Sequence, residues 1–137
     1  MDAGSTFVYE ATDNRDSGAD LMVVNGTLSL TNVTLDLTAA NLELNTWVEG
    51  DKLTLLSYTG SAITSGFVGY ADDMPYSGGV FGTNQWLFNY DDTGMGGNFN
   101  SEATGTSFVT LTLIPEPSTV LLGSLGMLAL LLRRRDA

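Results

Sequence analysis

Cysteine and histidine are both absent from this sequence of 137 residues. Small exported domains often depend on disulfides, so a chain without cysteine must be held together by backbone pairing and packing. The lack of histidine excludes the usual zinc sites and the Ser-His and Cys-His forms of nucleophilic catalysis. These two absences remove the commonest kinds of small metal centre and hydrolytic site.

Basic residues are also scarce. Residues 1–114 carry 14 acidic side chains but only two basic ones, Arg15 and Lys52, which gives a net charge of −12, whereas residues 115–137 are near +1. Binding to nucleic acid through phosphate contacts needs clustered lysine and arginine. We therefore predict no nucleic-acid partner, and no group of residues indicates a bound cofactor.

Helical periodicity is missing before residue 118, and short stretches of alternating apolar residues take its place. Alternation predicts strands that are half buried. We therefore expect an all-β body over residues 1–113. The predicted strands are 53–58, 66–70, 85–90 and 108–113, with loops at 72–79 and 91–100.

Leu-x-Leu recurs every seven residues, at Leu28/Leu30, Leu35/Leu37 and Leu42/Leu44. Because strand alternation has a period of two, a straight strand would turn successive pairs to opposite faces. We therefore expect a bend near 31–32 and another near 39–41. Bends of this kind fit either a short β-solenoid or a compact β-sandwich of very short strands. Asn25-Gly26 predicts a two-residue hairpin between 21–24 and 27–30, although the corners of a solenoid also use asparagine and glycine.

The C-terminus has a different composition. Residues 114–118 form a proline-containing linker, 119–132 are uncharged and mostly apolar, and 133–137 begin with three arginines. The prolines predict a helix that starts after them, with Ser118 as the N-cap. The arginines predict a stop at a membrane surface. We expect a transmembrane-type helix, with the basic end in the cytoplasm and the body outside.

The order of these features, from Pro115-Glu116-Pro117-Ser118 through the apolar segment to Arg133-Arg134-Arg135, resembles the PEP-CTERM sorting signal of exported bacterial proteins. The resemblance implies recognition and cleavage near Pro-Glu-Pro by an exosortase, in a Gram-negative host that makes exopolysaccharide. It implies a protein anchored at the inner membrane and then released to the surface or extracellular matrix. Pro115, Glu116, Pro117 and Ser118 would be the sorting motif.

An exported protein also needs an entry signal, but residues 1–6 have neither a basic nor an apolar region of that kind. We therefore expect additional sequence upstream. The body resembles the last coils and cap of bacterial passenger-type β-solenoids. The residues that carry this looser resemblance lie at 26–30, 50–60, 85–90 and 109–113.

Two groups of side chains are candidates for ligand binding. Trp86, Phe88 and Tyr90 share one face of a predicted strand, so Trp86 and Tyr90 could stack on a sugar or form part of the core. The loop pairs Asp72-Asp73 and Asp91-Asp92 carry the oxygen ligands that calcium prefers, although solvated turn residues or a glycosidase pair are alternatives. Asp91 and Asp92 are the weak calcium candidates.

These features predict a surface or biofilm-matrix protein that is not an enzyme. The alternatives are a module that binds exopolysaccharide and the terminal part of a β-helix polysaccharide-active enzyme, whose catalytic residues would lie upstream.

Overall fold

The computed structural model describes residues 4–13, 18–98 and 105–135. Residues 99–100 of the predicted loop, residues 136–137 of the basic end, and the side chains of residues 117–122 and of Arg135 lie outside this description. Within it the chain forms seven strands, one 3₁₀ turn and one α-helix. They are β1 (Thr6–Val8), β2 (Met22–Val24), β3 (Thr34–Asp36), β4 (Lys52–Tyr58), β5 (Pro75–Tyr76), the 3₁₀ turn Gly79–Phe81, β6 (Gln85–Asp92), β7 (Ser107–Ile114) and α1 (Pro117–Arg135).

The longer strands form an antiparallel group at the C-terminal end of the body. β4 and β6 pair antiparallel with β7 on its two sides, and β5 pairs antiparallel with β6. The five-stranded sheet has the order β2-β4-β7-β6-β5. β7 therefore lies at the centre of the sheet, which places the end of the body at the end of its central strand.

Parallel pairing characterises the first half of the body. β1 pairs with β3 through Thr6 and Thr34, and β2 pairs with β4 through Met22 and Leu56. Just after β2 and β4 the two segments are still joined, by the 2.8 Å bond from Gly60 N to Gly26 O. Each of these parallel pairs joins strands that are separated by a long connection in the sequence, as parallel pairing requires.

The predicted bends in the Leu-x-Leu region are confirmed. Asn32 and Asn41 adopt positive φ angles of 59° and 51°, a conformation that asparagine tolerates better than most residues. The three leucine pairs therefore do not alternate in and out along one straight strand. Five of the six leucines are buried, and Leu44 is 41 % exposed.

The hairpin predicted at Asn25-Gly26 is wrong. β2 pairs in parallel with β4, and residues 27–30 form no strand. Gly26 has a φ of 138°, so it turns the chain at a corner. A Cβ on Gly60 would lie 2.4 Å from the backbone of Thr27, which shows how closely the two segments of chain approach there. The strand predicted at 66–70 is likewise replaced by turns, whereas β5 lies within the predicted loop 72–79.

The body is mostly strand and turn, with one C-terminal helix, so the all-β prediction and the helix are confirmed. Among the residues that the structure describes, no helix is long and apolar enough to cross a membrane. The predicted transmembrane-type segment 119–132 is corrected on this point. The uncharged part of α1, residues 119–132, is about 21 Å long at about 1.5 Å per residue, against a hydrocarbon core of about 30 Å.

Candidate functional site

The predicted sorting motif begins directly after the last residue of the central strand. Ile114 is the final residue of β7 and pairs with Gln85 of β6. α1 begins at Pro117, so only Pro115 and Glu116 lie between strand and helix, and both are exposed. The first two residues of the Pro-Glu-Pro sequence are therefore presented to solvent at the edge of the folded body.

Backbone hydrogen bonds fix the position of the C-terminal end of β7. The Leu113 N–H donates to Asp51 O at 2.8 Å, and the Gly50 N–H donates to Leu113 O at 2.9 Å. On the other side Leu113 pairs with Trp86. Leu113 is itself only 7 % exposed. The strand is thus held on both sides up to Leu113, two residues before Pro115.

The helix starts one residue earlier than the predicted Ser118 N-cap. Proline is favoured at the first helical position, because its φ is already helical and its missing N–H has no partner to lose there. From Gly123 to Arg134 every described side chain is exposed. Leu130, for example, is 66 % exposed and Met127 is 69 % exposed. The apolar surface of α1 is therefore not part of the core of the body. The membrane-stop role of Arg133, Arg134 and Arg135 stays a prediction.

Trp86 and Tyr90 lie in the core, which corrects their candidacy as a sugar-stacking surface. They are 0 % and 1 % exposed. The Trp86 indole N–H donates to Leu42 O at 3.1 Å, and the ring packs edge-on against Trp47 at 5.4 Å. A ring that is covered on both faces cannot stack on a saccharide.

Tyr90 has an equally complete set of partners. Its hydroxyl donates to Tyr70 O at 2.9 Å and accepts from the Phe67 N–H at 3.0 Å. Burial raises the pKa of the Tyr90 phenol well above its usual range, although the Phe67 bond opposes this effect. Gly66 packs against the ring, where a Cβ would lie 2.4 Å from it. Tyr90 therefore anchors the chain at 66–70 to β6.

Asp92 is occupied by structural contacts rather than presented to a cation. Its Oδ2 accepts from Lys52 Nζ and from the Thr110 hydroxyl, both at 2.7 Å, and its Oδ1 accepts from the Gly94 N–H at 2.8 Å. Burial alone would raise the Asp92 pKa, but the bonds from Lys52, Gly94 and Thr110 outweigh it and lower the pKa below its usual value.

The other acidic candidates do not complete a cation site with Asp92. Asp91 is exposed, and Asp72 Oδ1 accepts from the Tyr90 N–H at 2.9 Å. Asp73 is an exposed turn residue with a φ of 52°. The described part of the chain holds no group of three or more histidine, cysteine or acidic side chains that could bind a metal ion. The interpretation of Asp72, Asp73 and Asp92 as turn and contact residues agrees with these bonds.

One buried polar network has no signal in the sequence. Asn98 is 2 % exposed, and its side-chain oxygen accepts from the Thr54 N–H at 2.7 Å. Its amide nitrogen donates to Thr54 O at 2.9 Å and to the Tyr9 hydroxyl at 3.2 Å. β2 pairs with β4 only from Leu56 onward, so the Asn98 amide takes the place of a neighbouring strand at Thr54. An asparagine in a glycine-rich loop gives no indication of this role.

Comparison with known proteins identifies one segment. Residues 113–135 match the family model of the PEP-CTERM protein-sorting motif. No curated protein and no solved structure matches the chain. The matched segment begins inside β7, at Leu113, and extends to the last residue of α1.

Proposed function

We infer that the protein is delivered to the cell surface or biofilm matrix of a Gram-negative bacterium, because the chain carries the PEP-CTERM protein-sorting motif. The motif supports export through exosortase-type sorting. In this proposal the exosortase-type enzyme recognises Pro115, Glu116, Pro117 and Ser118 and removes the tail. The β body is the part that remains outside the cell.

The exposure of the first two residues of the motif is the observation that carries this proposal. Pro115 and Glu116 are exposed between two regular elements, and the apolar side chains of α1 from Gly123 onward are exposed as well. Glu116 has no packing role that would explain an acid between two prolines. An exposed segment of this kind fits a recognition element for another protein.

We propose that the body is the end of a short β-solenoid closed by antiparallel strands. The parallel pairs β1–β3 and β2–β4 support stacked coils, and β5, β6 and β7 would form the cap. In this reading the body is a structural module without catalytic activity. Lys52, the only base among the described residues of the body, is bound to Asp92. Exopolysaccharide stays a predicted partner, with Trp86 and Tyr90 no longer its site.

The proposal is tested by neutralising the motif. In the host, a Glu116→Ala chain in which Arg133, Arg134 and Arg135 are changed to glutamine should accumulate with its tail uncut. The intact mass of the exported and cell-bound forms measures this. The matched control is Glu49→Ala, another exposed acid outside the motif, which should leave processing unchanged. Normal cleavage and export of the multiple variant would contradict the proposed function.

A further inference from the structure

The matched sorting segment overlaps the folded sheet. It begins at Leu113, and Leu113 and Ile114 belong to β7. Ile114 pairs with Gln85, and Thr112 pairs with both Lys52 and Leu87. Only Pro115 and Glu116 separate this strand from α1. The chain therefore provides almost no free length on the N-terminal side of the motif.

A cleaving enzyme needs access to the backbone on both sides of the bond that it cuts. Extended peptides bind to proteins largely through main-chain hydrogen bonds. In the folded body the main-chain groups of Leu113 are already bonded to Gly50 and Asp51. The side chain of Leu113 is also buried, at 7 % exposure. The residues just before the motif are thus unavailable to a second partner while the sheet is intact.

We propose that the end of β7 acts as a gate on tail processing. Cleavage at the motif requires residues 112–114 to detach from β4 and β6, so the rate of processing follows the fraction of molecules in which this end of the strand is open. Cleavage that depends on local opening has this property when opening and closing are fast relative to cleavage. The inference rests on the proposed function, since it concerns the regulation of the same site.

A linker insertion separates residues 115–118 from β7 without changing a residue of either. Gly-Ser-Gly-Ser placed between Ile114 and Pro115 lets the enzyme reach the motif while β7 stays paired. Pulse-chase of the full chain in the host, followed by separation of the cut and uncut forms, should show processing about fivefold or more faster. The same four residues inserted between Ser61 and Ala62, in an exposed turn, should leave the rate unchanged.

A disulfide tests whether holding the end of β7 in the sheet slows processing. The sequence contains no cysteine, so Leu87→Cys with Thr112→Cys introduces a single bridge between two directly paired residues of β6 and β7. Facing residues in an antiparallel pair lie at a Cα separation that a disulfide can span. The bridge should slow processing, and a reductant should restore the original rate. Each single cysteine variant is the control for the substitution itself.

The linker and disulfide experiments together distinguish failure of the gate from failure of the proposed function. Faster cleavage with the linker at Ile114, together with slower cleavage under the disulfide, supports the gate. Equal rates of cleavage in the original chain, the linker variant and the bridged variant would overturn it and leave the sorting function intact. Absence of cleavage in the original chain and in every variant would overturn the proposed function, and the gate with it.

Discussion

Leucines behave oppositely in the body and in the C-terminal helix. Leu30, Leu53 and Leu56 of the body are fully buried, whereas Leu125 and Leu130 of α1 are 54 % and 66 % exposed. Burial of a leucine side chain contributes about 1.5 to 3 kcal/mol. The body therefore gains its stability from its own leucines, and the apolar surface of α1 is left for a contact outside the body. Apolar composition alone does not distinguish these two uses.

The largest difference between the body and α1 should be in the free energy of unfolding lost when a leucine is truncated to alanine. Leu56→Ala removes a fully buried side chain from β4, and the resulting cavity should lower the free energy of unfolding by about 2 to 5 kcal/mol. Leu130→Ala in α1 should change it by less than about 0.5 kcal/mol. Urea unfolding of both variants measures the difference. Equal destabilisation would show that α1 packs on the body after all.

The next effect concerns a polar part of the core. Asn98→Ala leaves the Thr54 N–H and C=O without the partners that the asparagine supplies, and an unsatisfied buried group costs about 1 to 3 kcal/mol. Asn45 is exposed, and Asn45→Ala should stay within about 0.5 kcal/mol of the original. Denaturant unfolding is again the measurement. An unchanged stability for Asn98→Ala would mean that water replaces the amide at β4.

The smallest effect is a dependence of stability on pH. Because the folded protein lowers the Asp92 pKa, the unfolded chain takes up this proton more readily, and stability present at neutral pH is lost as the pH falls through about 4 toward the folded pKa. Asp92→Asn should flatten this part of the profile. Asp73→Asn, at an exposed turn, should retain the original slope. Thermal unfolding from pH 2.5 to 7 measures the slopes, and an unaltered slope in Asp92→Asn would contradict the role of the Lys52 contact.

Features set by neighbouring residues were predictable from the sequence. Alternation predicted β4, β6 and β7, and the odd spacing of the Leu-x-Leu pairs predicted the bends now observed at Asn32 and Asn41. The order of prolines, apolar run and arginines predicted the motif that residues 113–135 match. In each case a short stretch of sequence carries the physical constraint.

Features set by distant residues were not predictable. Asn25-Gly26 suits a hairpin, but β2 gains its partner from β4, more than thirty residues further on. The alternation of Trp86 and Tyr90 defines one face of a strand without saying whether solvent or another layer covers it. Here the Trp47 ring and the 66–70 segment cover it. Asn98 likewise depends on Thr54 and Tyr9, which are distant in sequence.

The central position of β7 also has a mechanical consequence. A force applied to α1 is transmitted directly to β7, because only Pro115 and Glu116 lie between the helix and the strand. β7 is bonded to β4 on one side and to β6 on the other, so tension along the strand loads two ladders of hydrogen bonds together. The body is thus attached to its tail through a strand that is paired on both sides.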